Sequence, residues 1–80
     1  MLKLIVAFPC PFCNLVLDYI EHEEIKDIEI IDTKWDQNYH EKLKKSYGKT
    51  QVPLLLIDDK PLYESMAIIK YLEASKNELS

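Results

Sequence analysis

The chain has 80 residues and a formal net charge of −4, with 48% apolar and 30% charged residues. A chain of this size folds around one hydrophobic core, so we expect residues 1–80 to form a single domain. All 10 basic residues are lysine, and the absence of arginine argues against nucleic acid or an anionic membrane as a partner. The N-terminus lacks the apolar core and cleavage site of a signal peptide, and we expect a cytoplasmic protein.

The first half of the chain predicts a strand, a helix and a strand. Leu2–Ala7 form a nearly continuous apolar run, as in a strand buried on both faces. Pro11 suits the first position of a helix that extends to about Glu23, because proline has no N–H to pair there. The β-branched segment Ile28–Asp32 predicts the next strand, and this order indicates a β-α-β unit with parallel strands.

The second half predicts two further helices and two further strands. A polar helix extends from about Asp36 to Tyr47, and Gly48 ends it in the manner of a C-terminal cap. The remaining segments, in chain order, are a strand (Pro53–Ile57), an edge strand (Pro61–Tyr63), a helix (Ser65–Ala74) and frayed residues (76–80). The order β-α-β-α-β-β-α predicts a four-stranded mixed sheet covered by three helices.

The chain contains two cysteines, in the segment Cys10-Pro11-Phe12-Cys13 at the predicted start of the first helix. Residues at i and i+3 share one helix face with their β-carbons about 5–6 Å apart, so a small shift makes or breaks a disulfide. The unpaired N–H groups at the helix start favour a thiolate at Cys10. We therefore expect Cys10 to be the nucleophile and the less exposed Cys13 to be the resolving thiol.

Two other interpretations of the cysteine pair are possible. A zinc site needs two more ligands, and His22 and His40 match no structural zinc spacing, so we expect no metal. Alternatively, both cysteines are inert and only fill the core. Their position after the first strand of a β-α-β unit favours redox chemistry over either alternative.

The chain resembles the glutaredoxins of the thioredoxin-like superfamily over nearly its whole length. The resemblance is carried by Cys10-Pro11-Phe12-Cys13, by Thr50-Gln51-Val52-Pro53 and by Glu64-Ser65. The stretch from Glu64 to Leu72 is also similar to the N-terminal domain of glutathione transferases. The resemblance implies a thioredoxin-like fold in which a cis Val52–Pro53 bond lies beside Cys10.

The resemblance also implies a binding site for glutathione. Ser65 is expected to hold the α-carboxylate at a helix N-terminus, and Glu64 to pair with the α-ammonium group. The other expected contacts are the backbone of Val52 beside a peptide-like substrate, the flat ring of Pro53, Phe12 flanking the cleft and Lys49 near the glycyl carboxylate. Two simpler interpretations stay open, in which Ser65 only caps the helix and Pro53 only begins a strand.

The expected function is a glutathione-dependent thiol–disulfide oxidoreductase of the dithiol glutaredoxin type. It would act as a monomer on disulfide-containing or glutathionylated proteins, with glutathione as co-substrate and no tightly bound cofactor. The alternatives are an electron donor that thioredoxin reductase reduces, or a noncatalytic module that binds glutathione or an iron–sulfur cluster. We expect no transferase activity toward electrophiles, because no second-substrate pocket is expected in this chain.

Overall fold

The computed structural model describes residues 2–79, and the side chains of residues 2–76. The elements, in chain order, are β1 (Leu2–Val6), α1 (Pro11–His22), β2 (Ile28–Asp32), α2 (Gln37–Tyr47), β3 (Leu54–Ile57), β4 (Lys60–Tyr63) and α3 (Ser65–Leu79). The predicted order of strands and helices is confirmed.

The main difference from the prediction is the length of the last helix. Helix α3 continues to Leu79, whereas the sequence analysis ends it at Ala74 and expects residues 76–80 to fray. No glycine or proline follows Ala74, and Glu73 and Lys76 belong to the residue types that favour helix. The helix therefore meets no stop signal where the prediction placed its end, and Ser80 lies outside the described residues.

The four strands form one mixed sheet in the order β2-β1-β3-β4. Strand β1 pairs in parallel with β2, with Leu4 opposite Ile30, and pairs antiparallel with β3, with Leu4 opposite Leu55. Strand β4 pairs with β3 only and so forms an edge, where Pro61 is tolerated because it has no N–H to donate. The apolar strands β1 and β3 occupy the centre of the sheet, as their sequences predict.

Each face of the sheet carries its own hydrophobic cluster. Leu4 and Val6 of β1 pack with buried residues of α1 and α3, which we call the α1–α3 layer (Cys13, Val16, Ile20, Ile68 and Leu72 among others). Ile5 points to the opposite face and packs with Leu43 of α2 and with Leu54 and Leu56, which we call the α2 layer. The alternation along β1 thus buries both faces of the strand.

The helix ends follow from local sequence. Asp36 caps α2, where its carboxylate accepts hydrogen bonds from the backbone N–H groups of Asn38 (2.8 Å) and Tyr39 (3.2 Å). Gly48 ends α2 in the left-handed region at φ 83°, which a glycine adopts without a steric cost. Within the described residues, no helix is both long enough and apolar enough to cross a membrane.

Candidate active site at the start of helix α1

Cys10 occupies the N-cap position of α1. Its backbone is extended (φ −157°, ψ 106°), and its Sγ accepts a hydrogen bond from the backbone N–H of Cys13 at 3.3 Å. The sulfur thus takes the place of the oxygen that caps most helices, at the positive end of the helix dipole. Pro11 is the first helical residue, as the sequence predicts. The start of α1 thus places the Cys10 sulfur on a backbone N–H donor.

Cys13 lies one turn deeper and is fully enclosed. Its exposed fraction is 0%, against 9% for Cys10, and both are free thiols. Burial, followed by the hydrogen bond with Cys10, raises the pKa of the Cys13 thiol to about 12. Cys13 is thus less exposed than Cys10, as the sequence predicts, and its raised pKa favours the neutral thiol.

A small cleft lies beside the cysteine motif. It has a volume of about 110 Å³ and is lined by Phe12, Gln51, Val52, Pro53, Glu64 and Ser65. The Val52–Pro53 bond is cis, as the resemblance implies. Pockets that enclose a whole small molecule measure about 300–1,000 Å³, so this cleft has room for one end of a tripeptide. The structure thus brings together five of the residues expected to contact glutathione.

The rim of the cleft is formed where β4 passes into α3. Glu64 has φ 75°, a left-handed conformation that is strained for a residue other than glycine. Its carbonyl oxygen accepts the backbone N–H of Ile68 at 3.0 Å, so Glu64 holds the N-cap position and Ser65 is the first helical residue. The simpler interpretation of Ser65 as the cap is therefore wrong. Ser65 is buried, and its N–H belongs to the unpaired first turn of α3.

Gln51 is a residue of the cleft that the sequence analysis missed. Its Nε2 donates to Oε1 of Glu64 at 3.5 Å and so joins the proline loop to the start of α3. The residue directly precedes Val52-Pro53 and was recognised only as part of that motif. The sequence did contain a signal for this role, because Gln51 is a polar residue directly before a loop that was expected at the site.

Lys49 does not lie in the cleft. Its Nζ is 5.0 Å from the centroid of the Tyr63 ring, a cation–π contact. Lys49 lines a separate depression of about 400 Å³, together with Lys44, Gly48, Thr50 and Gln51. The structure therefore places the expected partner of the glycyl carboxylate next to the cleft residue Gln51 but outside the cleft itself.

Each histidine is hydrogen-bonded to a residue other than a cysteine. His22 Nδ1 lies 3.0 Å from Oε2 of Glu23, and His40 Nε2 lies 2.8 Å from Oγ1 of Thr33. Within residues 2–79, no group of three or more histidine, cysteine or acidic side chains is arranged to hold a metal ion.

The segment before Cys10 contains a contact that the sequence analysis did not predict. The Phe8–Pro9 bond is cis, and the indole Nε1 of Trp35 donates to the carbonyl oxygen of Phe8 at 2.6 Å. Trp35 is half exposed and belongs to the loop between β2 and α2. Since the bond joins residues 27 positions apart, no local pattern in the sequence indicates it.

Comparison with solved structures confirms the thioredoxin-like fold. A thioredoxin-like protein aligns at 22% identity over 92% of this chain and 96% of its own, with a TM-score of 0.69. A glutathione S-transferase from the Antarctic clam Laternula elliptica aligns at 24% identity over 98% of this chain and 36% of its own, with a TM-score of 0.78. A glutathione transferase from Bombyx mori, solved in complex with GTT, aligns at 26% identity over 92% and 35%, with a TM-score of 0.76.

Comparison with protein families gives a match over almost the whole sequence. The chain spans about a third of the length of the glutathione transferases that it matches. No curated protein matches its sequence significantly. The family model of the glutathione S-transferase N-terminal domain matches residues 4–79. The chain therefore belongs to the glutathione S-transferase N-terminal domain family.

Proposed function

We propose that the protein is a glutathione-dependent thiol–disulfide oxidoreductase of the glutaredoxin type. The observation that carries the proposal is the sulfur of Cys10 at the N-cap of α1, hydrogen-bonded to the N–H of Cys13. A sulfur in this position is stabilised as the thiolate, which is the form that attacks disulfides. The family match supports glutathione as the co-substrate.

The first step is attack on a glutathionylated protein. The Cys10 thiolate attacks the glutathione sulfur, a bond forms between these two sulfurs, and the protein sulfur leaves as a thiolate. The thiolate of a second glutathione then attacks the glutathione sulfur on Cys10. Oxidised glutathione leaves, and the Cys10 thiolate is restored, so this cycle needs only one cysteine of the protein.

A protein disulfide requires the second cysteine. Cys10 attacks one sulfur of the disulfide and forms a mixed disulfide, after which Cys13 attacks Cys10 Sγ and the substrate leaves as a dithiol. Once Cys10 is bonded to another sulfur, its negative charge no longer raises the pKa of Cys13, although burial still does. Cys13 thus loses its proton more readily in the step that uses it. Two glutathione molecules then reduce the Cys10–Cys13 disulfide and leave as oxidised glutathione.

The cleft supports a contact with the γ-glutamyl end of glutathione. The N–H of Ser65, in the first turn of α3, suits a carboxylate, and the exposed carboxylate of Glu64 suits an ammonium group. Gln51 bonds to Glu64 and holds its side chain at the rim. Phe12 of α1 and Pro53 of the cis-proline loop contribute apolar lining to the cleft.

The test is reduction of a glutathionylated peptide, coupled to glutathione reductase and NADPH. We expect turnover in the wild type, its loss in Cys10→Ser and its retention in Cys13→Ser. With a protein disulfide as substrate, both variants should be inactive. Equal loss in both variants on the glutathionylated peptide contradicts the assigned roles, and turnover with thioredoxin reductase but not with glutathione contradicts glutathione as reductant.

The family match favours a second candidate, the transfer of glutathione to an electrophile. In that reaction Cys10 is not oxidised, and the sulfur of glutathione forms a bond to carbon. 1-Chloro-2,4-dinitrobenzene separates the two functions, because its conjugation consumes glutathione without producing the oxidised form. Conjugation without NADPH consumption on the glutathionylated peptide would favour the transferase.

A further inference from the structure

The loop between β2 and α2 holds an unusual backbone conformation. Lys34 and Trp35 are consecutive residues with φ of 54° and 57°, in the left-handed region that residues with side chains rarely adopt. Such conformations persist only where surrounding contacts fix them, and they occur often at functional sites. Specific contacts must therefore hold Lys34 and Trp35 in this conformation.

Thr33 fixes this loop from within. Its backbone N–H donates to the carbonyl oxygen of Val6 at 2.9 Å, at the end of β1. Its hydroxyl oxygen accepts the backbone N–H of Trp35 at 3.2 Å and is hydrogen-bonded to His40 Nε2 at 2.8 Å. The His40 ring in turn stacks on the indole of Trp35, with centroids 5.4 Å apart and planes 16° from parallel. The indole is thereby held in one orientation.

The orientation directs the indole N–H to the segment that leads into the active site. Trp35 Nε1 donates to the carbonyl oxygen of Phe8 at 2.6 Å, and only Pro9 separates Phe8 from Cys10. Pro9 has no N–H, and the side chains of Phe8 and Pro9 are exposed. The carbonyl of Phe8 is thus a point at which the loop between β2 and α2 holds this segment.

We propose that Trp35 is a positioning residue for the sulfur of Cys10. By holding the Phe8 carbonyl, it fixes the backbone that enters α1 and so keeps the Cys10 sulfur on the N–H of Cys13. The inference rests on the proposed function, because that function gives the thiolate its use. Trp35 acts through the backbone, and its role requires no contact with the substrate.

The test compares two variants of position 35 in a Cys13→Ser background, where Cys10 is the sole thiol. Trp35→Phe keeps an aromatic ring and lacks the N–H donor. Since Trp35 is the only tryptophan of the chain, benzothienylalanine can also replace it, which keeps the size of the indole and removes only the N–H. We expect either change to lower the rate of iodoacetamide labelling of Cys10 at pH 6.5 by about threefold to tenfold, because the thiolate loses a well-placed hydrogen bond. At pH 10 the solution itself removes the proton of a cysteine thiol, so the labelling rate of each variant should stay within about a factor of two of the parent's.

A matched control leaves the donor in place. His22→Phe replaces an exposed histidine that is hydrogen-bonded to Glu23, outside the loop between β2 and α2, and we expect its labelling rates to equal those of the parent. Circular dichroism establishes that each variant is folded.

Three outcomes would overturn the role of Trp35. These are unchanged labelling at pH 6.5 in both position-35 variants, an equal loss at both pH values, or an equally large loss in His22→Phe. The labelling assay contains no glutathione, so it tests Trp35 separately from the proposed function. Absence of glutathione-coupled turnover in the wild type would refute that function while the labelling result still decides the role of Trp35.

Discussion

The contrast between the two cysteines leads to a quantitative prediction. With a pKa of about 12, the Cys13 thiol is ionised in only about one molecule in ten thousand at pH 8. Cys13 is also fully buried, whereas Cys10 retains 9% exposure at the helix start and its sulfur accepts the N–H of Cys13. Since thiolates are the reactive species, limiting iodoacetamide at pH 8 should label Cys10 at least about a hundredfold faster than Cys13.

Mass spectrometry measures this ratio when fragmentation locates the label within the peptide that contains both cysteines. Initial rates are required, because modification of Cys10 removes a charge that raises the pKa of Cys13. In a Cys10→Ser variant we expect Cys13 to remain slow, since burial is the largest cause of its raised pKa. Urea-unfolded protein serves as the control, in which both cysteines should react at similar rates. Similar rates in the folded protein, or faster labelling of Cys13, would refute this reasoning.

Three further predictions concern stability and glutathione binding. Burial raises the pKa of Cys13 from 9.0 to about 12, so its contribution to stability is complete below pH 9 and is lost at higher pH, by up to about 1.4 kcal/mol per pH unit. Urea unfolding at pH 8 and pH 10 should therefore show a steeper loss in the wild type than in Cys13→Ala, and parallel losses would contradict this. Glu64→Gln should raise the KM for glutathione about twofold to fivefold, the range of an exposed ion pair, without changing kcat. The control variant Glu41→Gln on α2 should change neither KM nor kcat. An unchanged KM in Glu64→Gln would exclude the ion pair. Leu55→Ala should lower the free energy of unfolding by about 2–5 kcal/mol, because Leu55 is fully buried in strand β3. Leu15 is half exposed, and Leu15→Ala should lower the free energy of unfolding by less than about 1 kcal/mol. Equal losses would show that Leu55 is not a core residue.

Much of the fold could be predicted because local patterns and tertiary packing agree. The apolar run of β1 is buried on both faces, Gly48 ends α2 in the left-handed region, and Pro61 lies on an edge strand. The end of α3 was predicted too early, although the absence of glycine and proline after Ala74 was visible in the sequence.

The candidate site could be predicted only in part. The resemblance implied the cis Val52–Pro53 bond and the meeting of Phe12 with Glu64 and Ser65 across the cleft. It gave no indication of the bond from Trp35 to Phe8, because that contact depends on two consecutive left-handed residues that the sequence does not mark with glycine. Lys49 was expected near the cleft from its position in the sequence, but its side chain extends over Tyr63 instead.

Val52 packs against both the α1–α3 layer and the α2 layer. The cis-proline loop is therefore anchored from both sides of the sheet before any ligand binds. A ligand that pairs with this backbone does not have to supply the entropy of ordering it, so more of its contact energy remains as affinity. The lining that Phe12 contributes is different, because Phe12 is 63% exposed and its ring can change rotamer at little cost. The cleft thus combines a preorganised wall, suited to the constant backbone of a peptide, with an adaptable wall, suited to ligands of varied shape.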